Sequence, residues 1–197
     1  MDFYKNILRA RRLYHKLKTC TWYKLFLKKC GKNNVVIKPI SFTPKGISLG
    51  NNISINNGCR LEGVFSHAGI SYNPVIELNN NINIEQNLHL TCANKITIGN
   101  DTAISANVTI TDIIHPFENN GIIYKNQPLI VKEVVIGDNC LILNNSVILP
   151  GVFIGNGCVV GANSVVREGT YPDFSVLAGS PARIVKRYDT TKKQWVR

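Results

Sequence analysis

One apolar position recurs every six residues through the C-terminal half of this chain: Ile136, Ile142, Ile148, Ile154, Val160 and Val166. A period of six fits neither an amphipathic helix nor a hairpin meander. It fits a chain in which each hexad supplies one short strand and one corner, with successive coils stacked as a prism. A single coil cannot bury its own inward row, so the coils must share one continuous core. The ladder extends upstream with three breaks, through Leu49, Ile55 and Leu61, then Leu78, Ile84 and Leu90, then Ile98, Ile104 and Ile110. A small residue often stands two places before the anchor, as at Cys59, Thr102, Cys140, Ser146, Cys158 and Ser164. Corner residues follow many anchors, as at Asn51-Asn52, Asn100-Asp101, Asn144-Asn145 and Asn156-Gly157. Asn, Asp and Gly tolerate the left-handed backbone of a tight corner. The expected class is all-β, a parallel β-helix of about five coils.

The 197 residues suit one domain. We expect a basic helical segment over residues 1–32, a β-helix over 33–166 and a C-terminal extension over 167–197 carrying a short helix. No apolar run approaches the ~18 residues of a membrane span, and the N-terminus lacks the apolar core of a signal peptide. The six cysteines form no CxxC pair, so Cys59, Cys140 and Cys158 read as small inward hydrophobes. A reducing cytoplasm is the expected setting.

The formal charge of +11 is unevenly spread. Residues 1–32 hold ten Lys or Arg against Asp2 alone, a local balance of +9, whereas the prism is close to neutral. A nucleic-acid binder would want a basic face on the folded body, so nucleic acid is not expected as a partner. Phe3, Ile7, Ala10, Tyr14 and Leu17 fall at helical spacing, with Lys5, Arg9, Arg12 and Lys16 on another face. Such a helix can cover the open end of the prism or a neighbouring subunit. It can also dock on an anionic membrane surface, at the inner face of the membrane.

The breaks matter for function. Eleven residues beyond the period are inserted between Leu61 and Leu78, and twenty between Ile110 and Ile136, placing insertions near 62–77 and 111–135. A long ordered insertion on a regular scaffold is usually functional. The second holds Asp112, His115 and Pro116. Imidazole has an unperturbed pKa of about 6.5, suited to taking a proton at neutral pH. A carboxylate such as Asp112 can polarise a nearby imidazole, or it can cap the loop entry through backbone N–H groups.

The hexads, Asp112-x-x-His115, Gly161-Ala162-Asn163-Ser164-Val165-Val166 and Ala178-Gly179-x-Pro181-Ala182-Arg183 together resemble the hexapeptide-repeat acyltransferases. The likeness is to the O-acetyltransferases of bacterial lipopolysaccharide and related surface glycans, over roughly residues 84–197. The resemblance implies a left-handed parallel β-helix, acetyl-CoA as acyl donor, a sugar hydroxyl as acceptor and a homotrimer with sites between prisms. It implies His115 as the catalytic base, with Asp112 beside it, and Glu85 and His89 toward the acceptor. It also implies Asn144, Gly161 and Ala162 along the pantetheine arm. Arg167, Arg183 and Lys186 are then candidates for the CoA phosphates. Glu85 stands where several relatives carry Asn, and Leu143 where the pattern usually has Gly.

Other readings are a small-molecule acceptor (a free sugar, an antibiotic or serine) and a non-catalytic scaffold. His67, His89 and His115 also raise zinc catalysis, but the paired histidines a few residues apart that such enzymes carry are missing, so no metal is expected. Cys92 is the only cysteine near the proposed site, and no second histidine is placed in sequence as its obvious activator, which favours direct transfer over an acyl-enzyme.

Overall fold

The computed structural model describes residues 2–117 and 121–196. Among them, three faces of short parallel strands wind about one hydrophobic axis, as a left-handed β-helix. The first face runs from Lys29–Cys30 to Gly169–Tyr171, the second from Val35–Val36 to Ser175–Gly179, and the third from Ser41–Phe42 to Val165–Val166. The third face has six strands, so the described prism has six complete coils rather than about five. The added coil comes from Cys30, Val36 and Phe42, which keep the six-residue spacing and pair with Leu49, Ile55 and Leu61. Its residue types vary too much to show in the hexad pattern.

The repeat sets the core directly. Leu49, Leu78, Ile98, Ile136 and Ile154 stack in register up the first face. The second face stacks Ile55, Ile84, Ile104, Ile142 and Val160 in the same way. The third stacks Leu61, Leu90, Ile110, Ile148 and Val166. None of these side chains is more than 2% exposed. Each contributes about 1.5–3 kcal/mol by burial, so the columns are the main stabilising term of the prism.

Corners follow with the same regularity. The residue three places after an anchor takes positive φ at Asn52, Gly58, Asn81, Asn87, Asp101, Asn107, Asn139, Asn145, Gly157 and Asn163. Side-chain ladders then join successive corners, one running Asn51, Asn80, Asn100 and Asp138, whose backbone N–H continues it to Asn156 Oδ1. Another runs Asn87, Asn107, Asn145 and Asn163. Close approach of coils also demands glycine just after several first-face anchors. A Cβ on Gly99 would lie 2.4 Å from the Gly137 carbonyl carbon, and one on Gly137 2.8 Å from that of Gly155.

Both insertions leave the prism at one corner, between the third and first faces. The first follows the strand Arg60–Gly63 and folds back as Ser66–His67 against Ile70–Ser71. The second follows Thr109–Thr111 and pairs Ile113–Ile114 with Ile130–Val131. The Leu129 N–H donates to Tyr72 Oη at 2.7 Å, tying the two insertions together.

The N-terminal helix spans Asp2–Thr21. It sits on the first coil through His15 and Thr19, both buried. Thr19 Oγ1 accepts the Val36 N–H at 2.9 Å and donates to the His15 carbonyl at 2.8 Å. Among the described residues, no helix is long and apolar enough to cross a membrane.

The C-terminal extension corrects one expectation. Its segment Ala182–Asp189 is a strand, not a short helix. It pairs antiparallel with Ser175–Gly179, placing Val176 opposite Lys186 and Ala178 opposite Arg183, and Gln194–Val196 adds a further strand. β-branched Ile184 and Val185 suit this extended backbone. The free edge of the last coil supplies a hydrogen-bond partner, and Leu177 and Ala182 close the core beneath it. That pairing outweighs the local helical tendency of the basic residues.

Candidate active site

On the outer side of the third face, alternation puts polar residues between the buried anchors. Arg60, His89 and Thr109 align in one row across coils, and Glu62, Thr91 and Thr111 in the next. These six line a cleft of about 380 Å³ with Val64, Ile113 and His115. The second insertion thus carries His115 over the strand that carries His89, and the cleft brings together two of the residues expected to face the acceptor and the reaction.

The cleft walls are partly fixed by pairing. Glu62 Oε2 accepts from Arg60 Nε at 2.8 Å and from Ser41 Oγ at 3.1 Å. Thr91 Oγ1 donates to Thr111 Oγ1 at 3.0 Å, leaving hydroxyl groups in a row. The His89 imidazole is held below its ordinary pKa, first by burial and then by the Arg60 guanidinium, with Glu62 opposing. It is therefore neutral at pH 7, able both to donate and to accept a hydrogen bond.

Asp112 is wholly buried. Its carboxylate accepts the N–H groups of Ala93 at 2.8 Å and Asn94 at 2.7 Å, and the Cys92 thiol at 3.2 Å. Its own carbonyl accepts the Lys132 N–H at 2.9 Å from the returning arm of the insertion. Of the two roles open from sequence, the hydrogen bonds fall on the loop-entry side: Asp112 clamps the corner before it to the insertion that carries His115. Burial, and after it the Asp112 charge, push the Cys92 thiol well above the ordinary range.

Two features of the site were not read from sequence. Arg60, Glu62 and the threonines were missed, although their alternation with Leu61, Leu90 and Ile110 was a usable signal for an outward face. His67 was considered only as a metal ligand. The first insertion lays it against His115, edge to face, with ring centroids 5.4 Å apart, and its Nε2 is buried without a hydrogen bond. No group of three or more potential metal ligands gathers among the described residues.

The remaining expected site residues lie elsewhere. Glu85 stands at the corner between the second and third faces, accepting from Asn56 Nδ2 at 3.0 Å and Asn83 Nδ2 at 2.8 Å. Backbone bonds from Glu85 to Ile104, Ser105 to Ile142 and Leu143 to Val160 place Glu85, Ser105, Leu143 and Gly161 in one column there. Asn144 and Ala162 sit beside that column, the Asn144 carbonyl accepting the Asn163 N–H at 2.9 Å. Arg167 follows the last third-face strand and is exposed, its carbonyl accepting from Tyr171 Oη at 2.9 Å. Arg183 and Lys186 are exposed on the C-terminal strand.

Residues 133–168 match the family model described as "Bacterial transferase hexapeptide (six repeats)". A protein of Escherichia coli (strain K12), named as the lipopolysaccharide biosynthesis O-acetyl transferase WbbJ, is 37% identical over 156 residues, covering 76% of each chain. The chain belongs to the hexapeptide-repeat acyltransferase family. Solved structures share the fold. A mutant of AntD, an N-acyltransferase from Bacillus cereus in complex with dTDP and coenzyme A, superposes with a TM-score of 0.70 at 24% identity, covering 89% of each chain. The hexapeptide-repeat acetyltransferase VCA0836 from Vibrio cholerae O1 biovar eltor, complexed with acetyl coenzyme A, gives a TM-score of 0.56 at 22% identity, covering 93% of this chain and 88% of that one.

Proposed function

We propose that this acyltransferase moves an acetyl group from acetyl-CoA to a hydroxyl of a bacterial surface-glycan sugar, by direct transfer with His115 as general base. The observation that carries the reading is the cleft itself. It sets the His115 imidazole over a wall of hydroxyl, carboxylate, guanidinium and neutral imidazole groups, a lining suited to a polyhydroxylated acceptor. The similarity to WbbJ supports the glycan class. The AntD complexes with dTDP and a dTDP-amino sugar support a sugar acceptor more generally.

In this mechanism, His115 takes the acceptor hydroxyl proton as the oxygen attacks the thioester carbonyl. The tetrahedral oxyanion is met by backbone N–H donors along the coil edge. Collapse expels the CoA thiolate, which recovers the proton from the imidazolium. General-base catalysis of this kind supplies ~10²–10⁴-fold. Cys92 does not form an acyl-enzyme here, because its thiol is buried, held protonated and bonded to Asp112. Asp112 acts as a positioning residue, through the loop rather than on the imidazole.

His89 contacts the acceptor in the cleft. Glu85, expected toward the acceptor, stands outside the cleft in the column of Leu143 and Gly161, and Asn144, Gly161 and Ala162 line the path of the pantetheine arm. Arg167, Arg183 and Lys186 meet the CoA phosphates. The expected site residues therefore divide between the third-face cleft and the neighbouring corner, which supports a homotrimer whose sites form between prisms. Dependence on acetyl-CoA suits a reaction in the cytoplasm.

The test is acetyl-CoA turnover with the glycan made by the surrounding biosynthetic pathway as acceptor. His115→Ala is expected to lose about 10²–10⁴ in kcat. Full activity in that variant would overturn the base assignment, and no turnover by the wild-type protein with glycan or sugar acceptors would overturn the function.

A further inference from the structure

The N-terminal helix is amphipathic in an unusual way: it is apolar where it has no partner. Leu8, Arg12, His15 and Thr19 follow one line along it, and this line faces the prism. Thr19 bonds the first coil, and Leu8, Arg11 and Arg12 roof a cavity of about 250 Å³ over Ile37, Asn56 and Asn57. The second line, Phe3, Ile7, Ala10, Tyr14 and Leu17, faces away from it. Phe3 is 80% exposed, Tyr14 62% and Leu17 57%, and the stripe continues past the helix end into Trp22 and Phe26, whose ring centroids lie 5.7 Å apart. Between the two lines stand exposed Lys5 and Arg9 and half-buried Lys16, and on the other side Lys18, its Nζ 5.1 Å from the Tyr23 ring centroid.

We propose that this stripe docks the protein on an anionic lipid bilayer, the helix lying in the plane of the headgroups. Interfacial helices of this kind bury an apolar face among acyl chains while Lys and Arg meet the headgroups. Charge selects the occupant. A second copy meeting the stripe with its own N-terminal segment would set a balance of +9 against +9, and the prism of a second copy is near neutral. An acidic surface complements both the stripe and its flanks. Docking would hold for a non-catalytic prism as well as for an acyltransferase, so its failure leaves the catalytic reading untouched.

The test is flotation of the full-length protein with vesicles of phosphatidylcholine alone or with a third of phosphatidylglycerol. Binding is expected only to the anionic vesicles, and to weaken with salt. Ile7→Glu with Leu17→Glu places charge at positions 47% and 57% exposed, and is expected to lower partitioning more than tenfold. Arg9→Ala is expected to lower it about fivefold. Absence of binding to anionic vesicles, or binding indifferent to the stripe variant, overturns the proposal. So does a change in oligomeric mass caused by that variant in light scattering, which would assign the stripe to a second copy.

Discussion

The imidazole of His67 meets that of His115 edge to face, with ring centroids 5.4 Å apart. The two rings come from different insertions, so the contact fixes the proposed base from a side the prism cannot reach. An aromatic contact of this geometry is worth about 0.5–1.5 kcal/mol. Removing it with His67→Ala is expected to lower kcat up to about tenfold, with KM for the acceptor little changed. His67→Phe keeps a ring edge at the same place and is expected to restore most of the loss. Steady-state kinetics of the two variants decide between ring packing and a role for the ring nitrogens, since only the latter leaves Phe as poor as Ala.

Asp112 holds three donors with one buried carboxylate. Asp112→Asn keeps the shape but turns an amide group toward one of those donors. Each charge-assisted bond lost or opposed costs about 1.5–3 kcal/mol, so the melting temperature is expected to fall by several degrees. Activity should fall further than stability alone explains, because the clamp also seats the loop bearing His115. Thermal denaturation alongside kcat at a temperature where the variant is folded separates the two effects.

A pH dependence of stability follows from His15. Burial first, then Arg11, Lys18 and Lys38, depress its folded pKa, and its Nδ1 has no hydrogen bond. Above the unfolded value of about 6.5, neither state is protonated and the packed helix is fully stable. As pH falls below that value, the unfolded chain binds a proton that the folded one refuses, so stability drops. Melting curves between pH 8 and 5.5 are expected to show this loss. His15→Leu should flatten part of it, and His89, depressed in the same direction, should account for some of the remainder.

Leu143 tests the proposed donor side. It stands between Ser105 and Gly161 in its column, a bulky side chain between two small ones. Leu143→Ala is expected to open space in that column and raise kcat/KM for longer acyl-CoA donors relative to acetyl-CoA. A ratio of the two donors that does not move would take Leu143 out of donor selection.

How far the sequence carries can be seen residue by residue. Ile98, Ile136 and Ile154 were legible because burial on one column imposes one residue type at one spacing. Asp101 and Asn145 were legible because a left-handed corner admits few alternatives. Val36 and Phe42 lie inside the expected 33–166, but Cys30, which keeps the spacing without the residue type, lies ahead of it, so the coil those three complete was legible only in part. Arg183 to Lys186 misled because a strand pairing on an open edge depends on the partner Ser175–Gly179, which no local pattern announces. The approach of His67 to His115 was out of reach for the same reason: it depends on where two insertions fold relative to each other, and their lengths do not say.

Both insertions depart from one corner and return to the same face, Val75 and Val134 each flanking Lys95–Ile98 in register. A change in the length of either loop leaves the stacking of the coils unaltered on each side of it. The corner therefore behaves as a socket, at which the walls of the proposed acceptor cleft can change while the columns keep their register.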